Sequence, residues 1–354
     1  MEDFREQFRA FIEKVYIPSN ADKATTSRKW DEIYSVLLPN IPEKLFRYRG
    51  VTEYSINDFQ NGTISLCHAG KFPDKYDSYV YINQDVIQQG LLGSLKEAYR
   101  FYLINVINGS PLVQNKRKAD EVREYLKNGY NIEQITEIVI NREYPDYINE
   151  VKTYMKKQEA RFRSPRNSAK IACFTESVKS KFMWDAYADG YKGFALEYDF
   201  RTLKQGREGS HELELFPMIY AEERPDATND ETFIYMREFV KNMAPSPFKI
   251  SVEEYDKRYS MNQLYWFTSY LYKDKKEYQH EHEWRMLYYN FDDENDYCSI
   301  PDNNSLKAIY YGPDISDKDK NQLHKIAQEK GLAEYDVSLD IDSRKYELKI
   351  KSTV

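Results

Sequence analysis

The chain predicts an α+β fold, a central mixed or antiparallel split sheet carrying a helical N-terminal preface and an all-α insertion. Three observations predict it. Residues 44–49, Lys-Leu-Phe-Arg-Tyr-Arg, alternate with the two-residue period of a strand. From about 85 to 163 apolar side chains recur every three to four residues instead, the period of a helix. Beyond Ala169, short strand-like runs return between helices and end in a β-hairpin. No internal repeat, low-complexity tract or Gly/Ser linker divides the chain, so one composite domain is expected.

The elements follow in order. Phe4, Phe8, Phe11, Ile12 and Val15 share one helical face, and a second helix runs from about Ser27, with Trp30, Ile33, Tyr34, Leu37 and Leu38, to Pro39. These helices form an N-terminal extension, residues 1–43. In the strand at 44–49, Phe46 and Tyr48 face one way, and Leu45, Arg47 and Arg49 the other. A short helix from Tyr54 to Phe59, a turn at Asn61-Gly62 and a strand from Ile64 to Cys67 come next.

The helical insertion, about 85–165, carries Leu91, Leu95 and Tyr99, then Ile135 and Val139, at helical spacing. Strands are expected at Ala169–Phe174, Lys192–Tyr198 and Glu212–Tyr220, with a helix at Phe182–Ala188. Helices follow at about Glu231–Met243 and Val252–Lys273, then strands at Glu283–Tyr289 and Ala308–Tyr311. The core is thus expected over 44–312. Residues 313–354 supply a helix opened by Ser316, with Asp319 completing a capping box, and the terminal hairpin, packed on the core.

Composition narrows the function classes. With 41% hydrophobic and 31% charged residues the 354-residue chain has the balance of a globular protein. A net charge of -7 argues against strong non-specific nucleic-acid binding, which relies on Lys and Arg displacing counterions. No run approaches the ~20 apolar residues that span a bilayer, and the acidic start MEDFRE does not read as a signal peptide, so no membrane association and a cytoplasmic location are expected. Cys67, Cys173 and Cys298 are odd in number and widely spaced, which fits reduced thiols. Tyrosine is abundant, 32 residues, either because Tyr lines sticky, polar clefts or because the genome is AT-rich.

Four segments carry chemistry. Arg47 and Arg49 on one strand face suit a diphosphate or carboxylate, or else a salt-bridged surface. Asp74 and Asp77, in Phe-Pro-Asp-Lys-Tyr-Asp, suit a turn or a divalent cation. After Cys173-Phe174-Thr175-Glu176 comes a short aromatic helix whose Trp184 and Tyr187 either stack on a planar ligand or, for Trp184, fill the core. In Tyr278-Gln-His-Glu-His-Glu-Trp-Arg285, an extended backbone puts Glu281, Glu283 and Arg285 on one side and His280, His282 and Trp284 on the other. Paired carboxylates suit acid/base work, since repulsion raises one pKa. The His-x-His pair reads as local ion pairing or zinc, and no metal site is expected.

Taken together, these runs resemble the bacterial domain-of-unknown-function family 2971. The features are Tyr48-Arg49, Asp74 with Tyr76 and Asp77, Cys173-Phe174-Thr175, Met183-Trp184 with Tyr187, Lys192-Gly193-Phe194, and Glu281-x-Glu283-Trp284-Arg285. The resemblance covers about 44–312. Pro73, Lys75 and Ala186 stand where Asn, Pro and often His are usual.

The layout is also similar, more distantly, to ADP-ribosyltransferases, with an early-strand Arg, a Ser/Thr-bearing strand and a late Glu-x-Glu. That likeness implies NAD as substrate, with Arg49 or Arg47 on its diphosphate, Tyr48 among the residues that bind it, Thr175 bracing the site, and Trp184 or Tyr187 against nicotinamide. Glu283 would be catalytic and Glu281 would orient or deprotonate an acceptor, an unknown macromolecule. The implied function is an NAD-consuming or ADP-ribosyltransferase-like enzyme, in bacterial stress or phage defence. Two alternatives stand beside it. One is a metal-dependent nuclease or phosphoesterase using Asp74, Asp77, Glu281 and Glu283. The other is a non-catalytic nucleotide-sensing or interaction module.

Overall fold

Residues 2–110, 115–146, 149, 151–153, 155–157, 166, 168–201, 213–242, 251–289 and 295–353 are described by a computed structural model. In chain order its strands are β1 (Leu45–Arg49), β2 (Thr63–His68), β3 (Lys170–Thr175), β4 (Phe194–Tyr198), β5 (Leu213–Pro217) and β6 (Ile219–Ala221). They continue as β7 (Tyr272–Asp274), β8 (Glu283–Tyr288), β9 (Tyr297–Pro301), β10 (Leu306–Tyr311), β11 (Ala333–Leu339) and β12 (Leu348–Ser352). Ten of them build one sheet, ordered β12-β11-β10-β4-β1-β3-β2-β9, with β8 and β5 attached to β3 as a branch. Pairing is antiparallel except between β10 and β11, so the sheet is mixed and the fold is α+β. The short strands β6 and β7 pair separately, in parallel.

The split lies at β3. One edge of β3 is paired throughout with β8, from Lys170↔Tyr288 to Thr175↔Glu283. The other edge is divided: Lys170 and Ile171 pair with β2, whereas Thr175 meets Phe46 of β1. The two arms therefore diverge from a common strand, and a hollow opens between them.

Three apolar clusters hold this frame. The largest joins one sheet face to helices Glu2–Ile12 and Lys23–Leu37 through Phe8, Trp30, Ile33 and Leu37. The opposite face, with Phe46, Tyr48, Ala195 and Tyr310, packs on Trp184. Strand alternation at 45–49 therefore stands as expected, since Leu45 belongs to the first cluster and Phe46 and Tyr48 to the other. The third cluster is the helical layer, Gln84–Ile107, Lys116–Lys127 and Ile132–Glu143, which packs on helix Thr228–Asn242. Parts of the expected insertion between 111 and 167 lie outside the described residues, as do Glu212 and Met243. Among the described residues no helix is long and apolar enough to cross a membrane.

Caps set the helix boundaries. The second helix starts at Lys23, ahead of the expected Ser27, because Asp22 accepts from the Thr25 amide at 2.7 Å. Thr52 and Ser55 cap one another reciprocally at Glu53–Asn61, and Ser316 accepts from Asp319 N, one half of the expected capping box, while the Asp319 carboxylate accepts from the Ser316 hydroxyl. One expected element is corrected: no helix runs from Val252 to Lys273. Val252–Arg258 and Tyr265–Ser269 are separate helices, and Tyr272–Asp274 is β7. Helical hydrogen bonds are outcompeted where this segment ties down the N-terminal extension. Ser19 N donates to Met261 O at 2.8 Å, and Asn262 Oδ1 accepts from Ile17 N at 3.1 Å. The C-terminal unit does more than pack on the core, since β11 and β12 extend the main sheet.

Glu231 lies at the seam between the helical layer and the N-terminal extension. It is 1% exposed, its Oε1 meets the Tyr265 hydroxyl at 3.4 Å, and its Oε2 has no hydrogen-bond partner among the described residues. Burial, with the Asp230 charge adding, pushes its carboxyl up to about 7, against the hydrogen bond from Tyr265. The folded chain thus binds this proton more tightly than the unfolded one, and stability falls as pH rises from the ordinary carboxylate range through 7. Glu231→Gln is expected to leave stability unchanged near pH 4.5 and to raise it by about 1–2 kcal/mol at pH 8. Urea midpoints of both proteins across that range check this, and a constant difference would contradict it.

Candidate functional site

A cavity of about 230 Å³ occupies the fork of the sheet. Arg47 and Arg49 reach it from β1, Cys67 from β2 and Cys173 from β3, while Glu283 and Arg285 come from β8. Tyr187, at the end of helix Lys181–Tyr187, and Lys273 of β7 complete the polar wall with Glu281. Arg49 and Glu283 therefore face the same hollow, as the fold-back of distant segments requires.

The acidic pair sits in a buried charge network. Lys273 Nζ donates to Glu281 Oε2 at 2.6 Å and to Glu283 Oε2 at 2.8 Å. Arg285, fully buried, donates from Nε to Glu283 Oε1 at 2.7 Å and grips Asp77 with both terminal nitrogens, at 2.8 and 2.5 Å. The Tyr187 hydroxyl donates to Glu281 Oε1 at 2.7 Å. Repulsion between the two carboxylates was expected to raise one pKa, and for Glu283 the opposite holds. Burial alone would push it up, but Arg285 and Lys273 outweigh that and hold it below the usual carboxylate range. Burial works against the Lys273 charge as well, and the carboxylates reverse it, so its pKa is raised.

The backbone of the pair is braced from behind. Thr175 Oγ1 donates to the Glu281 carbonyl at 2.6 Å. Arg5, from the N-terminal helix, donates to the Glu283 carbonyl at 2.9 Å and to Met218 O at 2.8 Å, and pairs with Glu176 at 2.6 Å. Glu283 N donates to the Tyr220 hydroxyl at 2.7 Å. The segment before β8 is not extended as expected: Gln279–Glu281 is a 3₁₀ turn and His282 is left-handed, φ 46°. That turn brings Glu281 round to the cavity, where Glu283 and Arg285 arrive by strand alternation. His280 packs edge-on against Phe182, centroids 4.2 Å apart, and His282 borders a separate hollow with Arg5.

The arginine wall differs in character. Arg49 donates to Asp58 at 3.2 Å, and burial with repulsion from Arg47 pulls its pKa down to about 10, against the pull of Asp58. Arg47 donates to the Ser65 carbonyl at 2.7 Å and forms no salt bridge among the described residues. Of the two neighbouring guanidiniums only Arg49 is paired with a carboxylate among the described residues, an arrangement that a bound anion would relieve.

Three expected contacts do not reach the cavity as ligand-binding side chains. Trp184 is fully buried, donates Nε1–H to Val178 O at 2.8 Å and packs edge-on to Tyr48 at 4.9 Å, so it is core. Tyr48 borders the hollow but spends its hydroxyl on Ser177 O at 2.9 Å and its ring on Trp184. Thr175 acts only through the Glu281 backbone. Trp184 and Tyr187 part company because the helix ends at Tyr187, leaving that ring 42% exposed at the mouth. Lys273 and the pairing of Asp77 with Arg285 were not foreseen from the residue pattern. Lys273 lies in the run Lys-Asp-Lys-Lys, which resembles a solvated charged stretch, and no local signal marks which lysine turns inward.

No curated protein and no solved structure matches the chain. A family model does match, over a narrower span than the motifs suggested. It runs from Met183 on the aromatic helix to Met286 on β8, and so takes in Tyr187, Lys273, Glu281, Glu283 and Arg285 but not the arginine wall. Residues 183–286 match the model of the family described as protein of unknown function (DUF2971).

Proposed function

We propose that the cavity takes the nicotinamide-ribose end of NAD and that the chain is an NAD-consuming, ADP-ribosyltransferase-like enzyme. The observation that carries this reading is one hollow shared by Arg47 and Arg49, the ring of Tyr187, and Glu281 with Glu283. At about 230 Å³ the hollow is smaller than the range typical of drug-sized ligands, about 300–1,000 Å³, which suits one end of a dinucleotide better than the whole. The arginines supply positive charge for the diphosphate, and Tyr187 offers a face for the aromatic ring.

In this reading the glycosidic C–N bond breaks and its electron pair leaves with nicotinamide. Positive charge builds on the ribose. Glu283, held ionised by Arg285 and Lys273, stabilises that charge without reorganising. Water or an acceptor nucleophile then forms the new bond to the anomeric carbon, giving its proton to solvent or to Glu281. Incubation with NAD is expected to release nicotinamide, and Glu283→Gln to slow that release by about a hundredfold or more. Chromatography of the product reads the result, and equal rates in both proteins would end the proposal.

A second reading, a nucleotide-sensing module, is favoured by a specific feature: both oxygens of Glu283 are already engaged, one by Arg285 and one by Lys273. It expects nucleotide binding without product, unchanged by Glu283→Gln. The metal-dependent alternative asks Asp74, Asp77, Glu281 and Glu283 to converge on a cation. Arg285 instead bridges Asp77 to Glu283, and Asp74 Oδ1 accepts from Tyr76 N in its own turn at 2.8 Å.

A further inference from the structure

Beside the cavity lies a larger cleft of about 720 Å³ that shares Asp74, Lys273 and Tyr278 with it. Its walls come from three separate stretches, 74–81, 221–226 and 272–278. Five tyrosines line it: Tyr76, Tyr79, Tyr81, Tyr272 and Tyr278, of which Tyr76 is 69% exposed. Three of these rings already hold cations from the chain itself, Tyr79 through the Arg166 guanidinium at 4.7 Å, while Tyr81 and Tyr272 hold none among the described residues. The Arg224 guanidinium lies 5.3 Å from the Tyr76 centroid, and Lys273 Nζ lies 4.3 Å from that of Tyr278.

The charge of the cleft is unbalanced. Among the lining residues the carboxylates Asp74, Glu222, Glu223, Asp226, Asp274 and Glu277 outnumber the cations Arg224 and Lys273, with Arg166 adding one more charge against the Tyr79 ring. The Lys273 charge is committed to Glu281 and Glu283. Asp74, Asp226 and Asp274 accept backbone amides in their turns, but Glu222, Glu223 and Glu277 form no salt bridge among the described residues. The hollow in the helical layer, of about 830 Å³, makes a useful contrast. There Glu121 and Glu143 are already taken by Lys118 and Arg142.

We propose that this cleft docks a Lys/Arg-rich segment of a protein partner. Basic side chains answer the unspent carboxylates, and their guanidinium faces lie flat on the tyrosine rings. Because the unspent carboxylates stand on two separate stretches, 221–226 and 272–278, a run of several cations on one backbone meets them together, whereas a single small cation meets only a part. Binding needs neither nucleotide nor turnover, so it stands or falls apart from the reading of the adjoining cavity.

The test uses the full chain and a fluorescent octa-arginine peptide, followed by anisotropy at about 150 mM salt. Saturable binding is expected. Glu222→Gln/Glu223→Gln/Glu277→Gln should weaken it by about tenfold or more, and Glu53→Gln/Glu329→Gln/Glu347→Gln, an equal charge change at exposed sites elsewhere, by less than about twofold. Tyr76→Ala, which leaves the charge unchanged, should weaken binding about threefold. No saturable binding, equal losses in the two triple variants, an unchanged affinity in Tyr76→Ala, or displacement by spermine at the same concentration as by unlabelled peptide would each overturn the proposal.

Discussion

Arg285→Met should lower folding stability by about 3–5 kcal/mol, the cost of breaking a buried ion pair by removing one partner. Arg285 is fully buried, and its guanidinium is shared by Asp77, Glu283 and the Tyr270 carbonyl. Methionine keeps most of the aliphatic stem but leaves two inward carboxylates with a single cation, Lys273, on Glu283. The sign of the pH dependence follows from Glu283. Its folded pKa is depressed, so its contribution is complete above the ordinary carboxylate range and is lost as pH falls through the depressed value. In Arg285→Met much of that depression disappears, and protonation in acid relieves the variant before the parent. The deficit should therefore be largest near pH 7 and shrink toward pH 4. Urea midpoints at both pH values measure it, and a loss below about 1 kcal/mol, or one that grows in acid, would show that the network is not what holds this wall.

Gly193→Ala is expected to cost about 3 kcal/mol and to disturb the arginine wall at the same time. A Cβ at this position would stand 2.1 Å from the Arg49 carbonyl oxygen and 2.9 Å from that of Ala188. Both obstacles are backbone, so no rotamer change clears them. The Gly193 amide also donates to Ala188 O at 2.7 Å, which pins the turn between the aromatic helix and β4. Relief requires β1 and β4 to separate just where Arg49 enters the cavity. Gly93→Ala is the matched control, because nothing lies within 4 Å of its Cβ inside helix Gln84–Ile107, and it should be neutral or stabilising by up to about 1 kcal/mol. Thermal unfolding separates the two. A Gly193→Ala protein as stable as Gly93→Ala would contradict the packing of β1 on this turn.

Local rules carried much of the architecture. Alternation at 45–49 assigned Phe46 and Tyr48 to one face and the arginines to the other, because a strand has only two faces. The expected cap at Ser316 is a short-range hydrogen bond, so its partner, Asp319, lies three residues on in the chain. The same reasoning failed where a distant segment competes with the local one. The helix expected through Lys273 breaks because residues 17–19 claim hydrogen bonds around Met261 and Asn262, and nothing near those residues announces it. Trp184 illustrates a different limit: sequence leaves open whether an aromatic helix face meets a ligand or a sheet, and only the position of Tyr48 settles it.

By itself the sequence determined many of the element types, the faces of the first strand and the family model that residues 183–286 match, since these depend on periodicity, caps and residue identity over short spans. Tertiary structure alone decided that β3 is shared between diverging arms, and that Lys273 and Arg285 neutralise Glu281 and Glu283 in the hollow so formed. The physical reason is desolvation. A charge is driven to find a partner when burial removes its water, and burial is a property of the packed chain rather than of any stretch along it.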